Sequence, residues 1–320
     1  AILARETGGD FTLVNGVVPN EVTLSADYTT GGYITVEATC TGYYSLDESD
    51  ANFDGFLGDD YSGVSFPASP SDDPLLPTDL SVTVGLAAAS NKLTVDGPSN
   101  SSIAVGEQYM RIFDNPNGGL DASISSDGIL DLTAGAEDTM EEVKALIHAD
   151  ANWTCSRGGS DVASKNLLKG LYSTEASQEI FAVDSMAAIT NLKTVSLSIA
   201  NNNTPIAGRA TGDDSSVKWL LNNAISRGKA DVTLDLTMTA EDETFYDKYH
   251  AGTTIPLIRL DFGSHGSIAL TNGTITSFSR PLAPGGEIVD TMSIKFRGAG
   301  NYKNFSAYAI SSSISLNPSG

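Results

Sequence analysis

The amino-acid sequence predicts a mainly β fold of the α+β type, with short helices packed against sheets. The clearest observation is a strict two-residue alternation over 231–238, where aliphatic residues and a methionine occupy one face and aspartates and threonines the other. Residues 194–199 and 291–297 alternate in the same way. Such strands bury one face and expose the other to water. An aperiodic polar segment, 200–214, lies between two of them, and loops of about this length are usually functional or disordered.

The first elements along the chain are predicted to be a hairpin and a strand. Residues 21–28 and 32–39 carry alternating apolar positions, and the Thr-Thr-Gly-Gly segment 29–32 between them is typical of a turn. Residues 47–79 are acidic and rich in glycine and proline, which predicts a loop. A further strand is predicted over 80–86.

The middle of the chain mixes short strands with helices. Residues 90–135 are predicted to form short strands and turns. A helix is predicted over 139–149, because Thr139 and Glu142 have the spacing of a capping box ahead of an apolar stripe. A second, poorly capped helix is predicted over 174–188.

A change to regular β patterning divides the chain into a β-rich region with helices, 1–190, and a second β domain, 191–320. In the second domain an apolar stripe behind Ser216 predicts a helix over 217–226. Thr239 is predicted to cap another helix that ends before Gly252, with acids in its first turn and bases in its last. The remaining strands are predicted over 255–262, 267–279 and 288–297.

Length and charge exclude some classes of function. The 320 residues are enough for one large or two ordinary domains. Acidic residues number 40 against 18 basic ones, for a formal charge of −22. This argues against nucleic-acid binding through basic contacts, because phosphates must meet lysine or arginine. It is compatible with DNA passing nearby without sticking.

Targeting patterns are also lacking in the sequence. The first ten residues have no apolar signal-peptide core, and no stretch approaches the roughly 18 apolar residues of a membrane span. We therefore expect a chain that is cytosolic when it is made, unless a leader has been removed.

An acidic segment is the best candidate for a metal site. Asp50, Asn52 and Asp54 occupy the first, third and fifth positions of a calcium loop, and a glycine occupies the sixth. The twelfth position, where a bidentate acid is expected, is Tyr61, and Asp60 one residue earlier would have to replace it. The sequence therefore leaves two interpretations open, a calcium site at Asp50, Asn52, Asp54 and Asp60 or a solvated acidic loop.

No pattern in the sequence indicates catalysis. The three histidines, His148, His250 and His265, are not spaced as metal ligands. No motif identifies a general base that would activate a serine. We expect that the chain is not an enzyme and has no cofactor other than calcium. The two cysteines, Cys40 and Cys155, are expected to be buried thiols, although the sequence does not exclude a disulfide.

Several segments, taken in order, give a family resemblance. They are Val195-Ser-Leu-Ser-Ile-Ala-Asn-Asn-Asn203, the glycine-bearing loop after it, Gly228-Lys-Ala-Asp-Val-Thr-Leu-Asp-Leu-Thr237, Glu241-Asp-Glu-Thr-Phe-Tyr-Asp-Lys-Tyr-His-Ala-Gly252 and Pro284-Gly-Gly-Glu-Ile-Val-Asp-Thr-Met-Ser-Ile-Lys-Phe296. Their order and spacing resemble the tail tube proteins (major tail proteins) of long-tailed, non-contractile phages and related viruses. The match covers about a third of the chain and leaves 1–190 unassigned.

This resemblance implies a β-sandwich subunit with a packed helix. Such subunits form rings, usually of six, whose inner strands join into a barrel, and the genome passes through the stacked rings. The resemblance also implies tail terminator, tape measure and distal tail proteins as partners, and a location in the virion tail. The long loop would contact the neighbouring ring through Asn201, Asn202, Asn203, Arg209, Asp213 and Asp214.

Two other classes remain open from the sequence. A secreted or surface adhesin-like β protein would also be rich in threonine, serine and aspartate, and would favour the calcium interpretation. Another virion structural protein, such as a capsid decoration protein, would share the composition. A hydrolase fits least well.

Overall fold

The computed structural model confirms a mainly β fold. It describes residues 2–5, 11–15, 18–41, 44–47, 74–99, 101–113, 129–133, 135, 137–206, 219–220, 224–226, 228–281, 286–298 and 302–308. Two α-helices occur in these ranges, α1 (Met140–His148) and α2 (Thr244–Ala251). Neither is long and apolar enough to cross a membrane.

Strands account for most of the regular structure. Those before α1 are β1 (Ile2–Arg5), β2 (Phe11–Asn15), β3 (Val18–Asp27), β4 (Thr35–Thr41), β5 (Tyr44–Asp47), β6 (Ser81–Gly85), β7 (Asn91–Asp96), β8 (Ser102–Val105), β9 (Tyr109–Phe113) and β10 (Ile129–Asp131). Those between α1 and α2 are β11 (Thr154–Gly158), β12 (Leu171–Ser173), β13 (Ser177–Ala182), β14 (Ala187–Ala188), β15 (Leu192–Ala200), β16 (Thr204–Ile206), β17 (Trp219–Leu220), β18 (Ala224–Ser226) and β19 (Asp231–Thr239). After α2 come β20 (Ile255–Asp261), β21 (Ser267–Ser279), β22 (Val289–Phe296) and β23 (Phe305–Tyr308).

Two compact units interleave along the chain. The arm unit comprises 1–25, 34–74 and 196–231, and the main unit comprises 26–33, 75–195 and 232–320. The predicted division at 190/191 stays a prediction. The largest sheet has the order β14-β6-β20-β21-β22-β19-β15-β3-β4, with β23 added on β21.

The predicted alternation supplies the buried residues of the sheet in the main unit. In β19 the apolar residues Val232, Leu234, Leu236 and Met238 are buried. They pair in register with β22, for example Leu234 with Ile294. Burying each of these side chains contributes about 1.5–3 kcal/mol, which fixes the register of both strands.

Residues 91–183 form an inserted subdomain within the main unit. The chain leaves the large sheet after β6 and returns in β14, which pairs with β6 through Ala187 and Val84. The subdomain contains β7–β13 and α1, and buried side chains from these elements, such as Trp153 and Ile112, form one continuous core. It therefore has a hydrophobic core of its own.

Helix α1 begins with the predicted capping box, and α2 ends at the predicted glycine, but Thr239 does not cap α2. In α1 the Thr139 Oγ1 atom accepts a hydrogen bond from the Glu142 N–H (3.3 Å), and Glu142 Oε2 accepts from the Thr139 N–H (3.1 Å). Gly252 closes α2 in the left-handed conformation, with φ 61°. The second helix begins at Thr244, later than predicted, so the acids that were expected in its first turn precede it.

Two predicted helices are wrong. Within 174–188 the chain forms β13 and β14, because Gln178 to Ala182 pair along β7. Within 217–226 it forms β17 and β18, which pair with β5 and β16. In both segments long-range strand pairing overrides the predicted helix, a tertiary effect that the local sequence does not report.

Candidate assembly surface

Strand β4 of the arm unit forms one end of the largest sheet. It pairs with β3, and no other described strand pairs with it. Every residue from Thr35 to Cys40 is exposed, on both faces of the strand. An unpaired edge of this kind presents a row of free backbone donors and acceptors to another chain.

One face of the β3–β4 hairpin is an apolar stripe. Val36 lies opposite Leu24, and Ala38 lies opposite Val22, so these four side chains point to the same side. Val36 is 64% exposed. The stripe and the free edge together define the candidate assembly surface, residues 22–24 and 35–40.

The predicted inter-ring loop begins in well-defined structure. Asn201 donates its backbone N–H to Asn20 O (2.7 Å) and its Nδ2 to Pro19 O (3.0 Å). Asn203 donates its N–H to Asn20 Oδ1 (2.9 Å) and its Nδ2 to Pro19 O (3.1 Å). These two asparagines fasten the start of the loop to β3 in the same unit.

Asn202 holds the opposite side of the loop base. It has a positive φ of 49°, a conformation that asparagine tolerates better than most residues, and its Nδ2 donates to Lys229 O (2.8 Å). A Cβ atom at Gly228 would lie 2.0 Å from Asn202 O, so the two segments approach as closely as glycine allows. The segment 200–206 is therefore anchored within the arm unit, and β16 continues it by pairing with β18.

The other predicted site residues lie outside the described residues. These are Arg209, Asp213 and Asp214 of the loop, and Asp50, Asn52, Asp54 and Asp60 of the calcium candidate. Within the described ranges, no group of three or more histidine, cysteine, aspartate or glutamate side chains is placed to hold a metal ion.

One of the two cysteines is not buried as the sequence predicted. Both are free, and Cys155 is buried as predicted, but Cys40 is exposed on β4. Burial raises the pKa of the Cys155 thiol to about 12, which makes it inert at neutral pH. The expectation of two buried thiols is therefore wrong for Cys40, because the sequence does not reveal that β4 lies at an edge.

A cluster of aromatic residues covers part of α2. Tyr246 and Tyr249 are more than one-third exposed, and both pack against Phe278 of β21 and against His250. The Arg280 guanidinium lies 5.8 Å from the Tyr246 ring centroid. Sequence reasoning missed this cluster, although the spacing of the tyrosines and histidine on one helix face was available to it.

Comparison with known proteins gives distant structural matches. The chain is similar to a chain of the virion of a native gene transfer agent particle, with a TM-score of 0.29 and 16% identity over 39% of this chain and 89% of that chain. It is also similar to a chain from the tail of an empty gene transfer agent particle with C6 symmetry, with a TM-score of 0.27 and 16% identity over 37% and 86%. Similarity this distant carries no argument about function. No protein-family model matches the chain, and no curated protein matches it.

Proposed function

We propose that this chain is a viral structural protein, the subunit of a tail tube. Copies would join into rings, and stacked rings would form the conduit through which the genome is ejected. The observation that carries the proposal is strand β4, which is exposed on both faces and unpaired at its outer edge within the described residues. A closed ring would pair this edge in every copy and leave none open to uncontrolled aggregation.

The contact would combine backbone pairing with apolar burial. Adding a strand to β4 supplies main-chain hydrogen bonds, and covering Val36 and Leu24 removes apolar surface from water. A head-to-tail contact of this kind closes when its rotation returns to the starting copy. The family resemblance implies six copies in the ring.

The charge of the chain suits a conduit for DNA. A formal charge of −22 repels phosphates, so DNA would pass without being held. The role is therefore structural, with no catalysis and no specific DNA binding.

The loop after β15 would make the contact between rings. Its base is held by Asn201, Asn202 and Asn203, so the segment beyond Ile206 starts from a fixed position. A fixed base lowers the conformational entropy lost when the loop binds. Arg209, Asp213 and Asp214 are the charged residues that would meet the next ring.

Several further assignments follow from the resemblance. The partners would be the tail terminator, tape measure and distal tail proteins, in a virion tail assembled in the host cytoplasm. Independently of the resemblance, Asp50, Asn52, Asp54 and Asp60 would bind calcium, because the first three have the spacing of a calcium loop.

Negative-stain electron microscopy of the purified chain, with sedimentation velocity on the same sample, tests this function. We expect rings with a central hole, or tubes of stacked rings, in proportions that rise with protein concentration. A chain that sediments as a monomer at every concentration and shows no rings would contradict the proposal.

A further inference from the structure

The largest sheet has a second open end, at β14. This strand pairs with β6 on one side, and no other described strand pairs with its outer side. Its two residues, Ala187 and Ala188, are both exposed. Because β4 is the terminal strand at the other end of the strand order, each copy carries two different open edges.

The outward backbone groups of this edge belong to Ala188. The Ile189 N–H donates to Val82 O (2.9 Å), and Ala187 lies opposite Val84, so these two residues of the edge face β6. Backbone groups along an antiparallel strand point alternately to its two sides, so those of Ala188 point away from β6. A strand added at this end of the sheet would therefore meet the N–H and C=O of Ala188.

A cleft with apolar side chains in its lining runs along the same edge. It has a volume of about 130 Å³, and four consecutive residues, 187–190, form one of its sides. Its lining also includes Val84 of β6, Met238 of β19 and Phe245 of α2. A cavity of about 150 Å³ accepts a molecule the size of benzene. The cleft therefore has room for an aliphatic side chain from another chain.

We propose that β4 of one copy pairs with β14 of the next copy, with Val36 over this cleft. The inference rests on the proposed function and names the surface that receives β4. A ring needs two different complementary patches on each copy, whereas β4 against β4 is a two-fold contact that stops at a dimer. Pairing β4 with β14 joins the largest sheets of successive copies and uses both open ends.

The side chains of β4 select one direction of pairing. Val36 and Glu37 point to opposite faces of the strand, and the two possible directions place opposite faces over the cleft. One direction covers the cleft with Val36, which buries apolar surface on both copies. The other brings Glu37 toward Glu241 and Asp242, which also line the cleft, and like charges in an interface repel. The first direction is therefore favoured.

Cross-linking through cysteines tests the pairing. Cys40 of β4 is exposed, whereas Cys155 is buried, so a bismaleimide reacts with Cys40 in the folded chain. Ala188→Cys adds a second reactive thiol on β14. Neighbouring strands lie about 4.8 Å apart, so a short linker spans them. We expect a covalent ladder from dimer upward on a denaturing gel. Tyr172→Cys, with an exposed cysteine in the inserted subdomain, is the matched control and should give no ladder.

A proline at the same position tests the pairing without a linker. Ala188→Pro removes the outward N–H and spares the contacts of Ala187 and Ile189 with β6, a position at which an edge strand tolerates proline. It should weaken association of folded subunits about tenfold, the value of one hydrogen bond. Ala188→Ser keeps the N–H and should assemble like the unmodified chain. Sedimentation velocity measures both variants, and circular dichroism verifies that they fold.

The outcomes separate this inference from the proposed function. Rings seen by electron microscopy without a ladder from Ala188→Cys would overturn the pairing with β14 and leave the ring itself standing. Dimers cross-linked through Cys40 alone in the unmodified chain, with no higher species from Ala188→Cys, would identify a β4–β4 contact and overturn it too. Equal assembly of Ala188→Pro and Ala188→Ser would also contradict it. A chain that forms no rings contradicts the proposed function itself.

Discussion

Arg280 and Asp290 form a two-pronged ion pair, with Nε 2.6 Å from Oδ1 and Nη2 2.8 Å from Oδ2. The same guanidinium donates to Asp242 O (2.7 Å) and Glu243 Oε1 (2.6 Å), just ahead of α2. One side chain thus joins the end of β21, the start of β22 and the helix. Hydrogen bonding to Asp290 raises the pKa of Arg280, which is consistent with a fully charged pair.

We expect Arg280→Met to lower the free energy of unfolding by about 3–5 kcal/mol, because it leaves the buried carboxylate of Asp290 without its cation. Denaturant unfolding measures this. Lys193→Met is the matched control: its partner Glu287 is half-exposed, so the loss should stay below about 1 kcal/mol. Equal losses in the two variants would show that the Arg280 pair is an ordinary surface contact.

Lys169 should make stability depend on pH. It is fully buried, its Nζ has no hydrogen-bond partner within the described ranges, and burial lowers its pKa from 10.5 to about 7. Between about pH 7 and pH 10.5 the unfolded chain therefore binds a proton that the folded chain does not. Stability attributable to this residue rises with pH through that window and is flat below it.

The variant Lys169→Met isolates this effect. The difference in unfolding free energy between the unmodified chain and the variant should shift in favour of the unmodified chain by up to about 1.4 kcal/mol per pH unit from pH 7.5 to 9.5. Urea titrations at several pH values measure it. A difference that is independent of pH would mean that Lys169 stays charged in the folded protein.

Calcium should stabilise the chain if the acidic segment is a metal site. Binding to the folded state raises the melting temperature by mass action. We expect a higher melting temperature in excess calcium than in EDTA, and no such difference in the variant Asp50→Asn/Asp54→Asn. Superimposable melting curves for the unmodified chain would identify the segment as a solvated acidic loop.

Removal of the loop tip should separate folding from stacking. Replacing 208–217 by a short glycine link spares β16 and β17, and long loops are lost at little cost in stability. Electron microscopy should then show folded subunits or single rings without long tubes. Normal tubes would exclude a role for the tip in stacking, and an unfolded product would mean that the tip belongs to the core.

The sequence predicted elements whose causes are local. The capping box at Thr139, the αL glycine at Gly252 and the alternation of β19 all act within a few residues, and the structure has each of them. The segment 217–226 was predicted wrongly because its apolar stripe fits a helix, whereas its pairing with β5 and β16 depends on residues far away in sequence.

Features of the candidate sites depend on the global arrangement. The alternation of β4 could be recognised in the sequence. Its position at the sheet edge could not, because it depends on the order of nine strands. The cleft beside β14 brings together Val84 and Phe245, which are far apart in the chain, and nothing in either local sequence indicates the other. The inserted subdomain could not be predicted from the sequence either, because only the pairing between β6 and β14 shows where the chain leaves the sheet and returns to it.

The central claim, that copies join through β4, is tested most directly by particle imaging of Val36→Asp beside Tyr172→Asp. Both residues are large, exposed and on strands, at 64% and 54% exposure, but Tyr172 lies in the inserted subdomain. Neither change should impair folding, which circular dichroism would verify. We predict that Tyr172→Asp forms rings or tubes like the unmodified chain, and that Val36→Asp remains a folded monomer. Rings formed equally well by Val36→Asp would contradict the account.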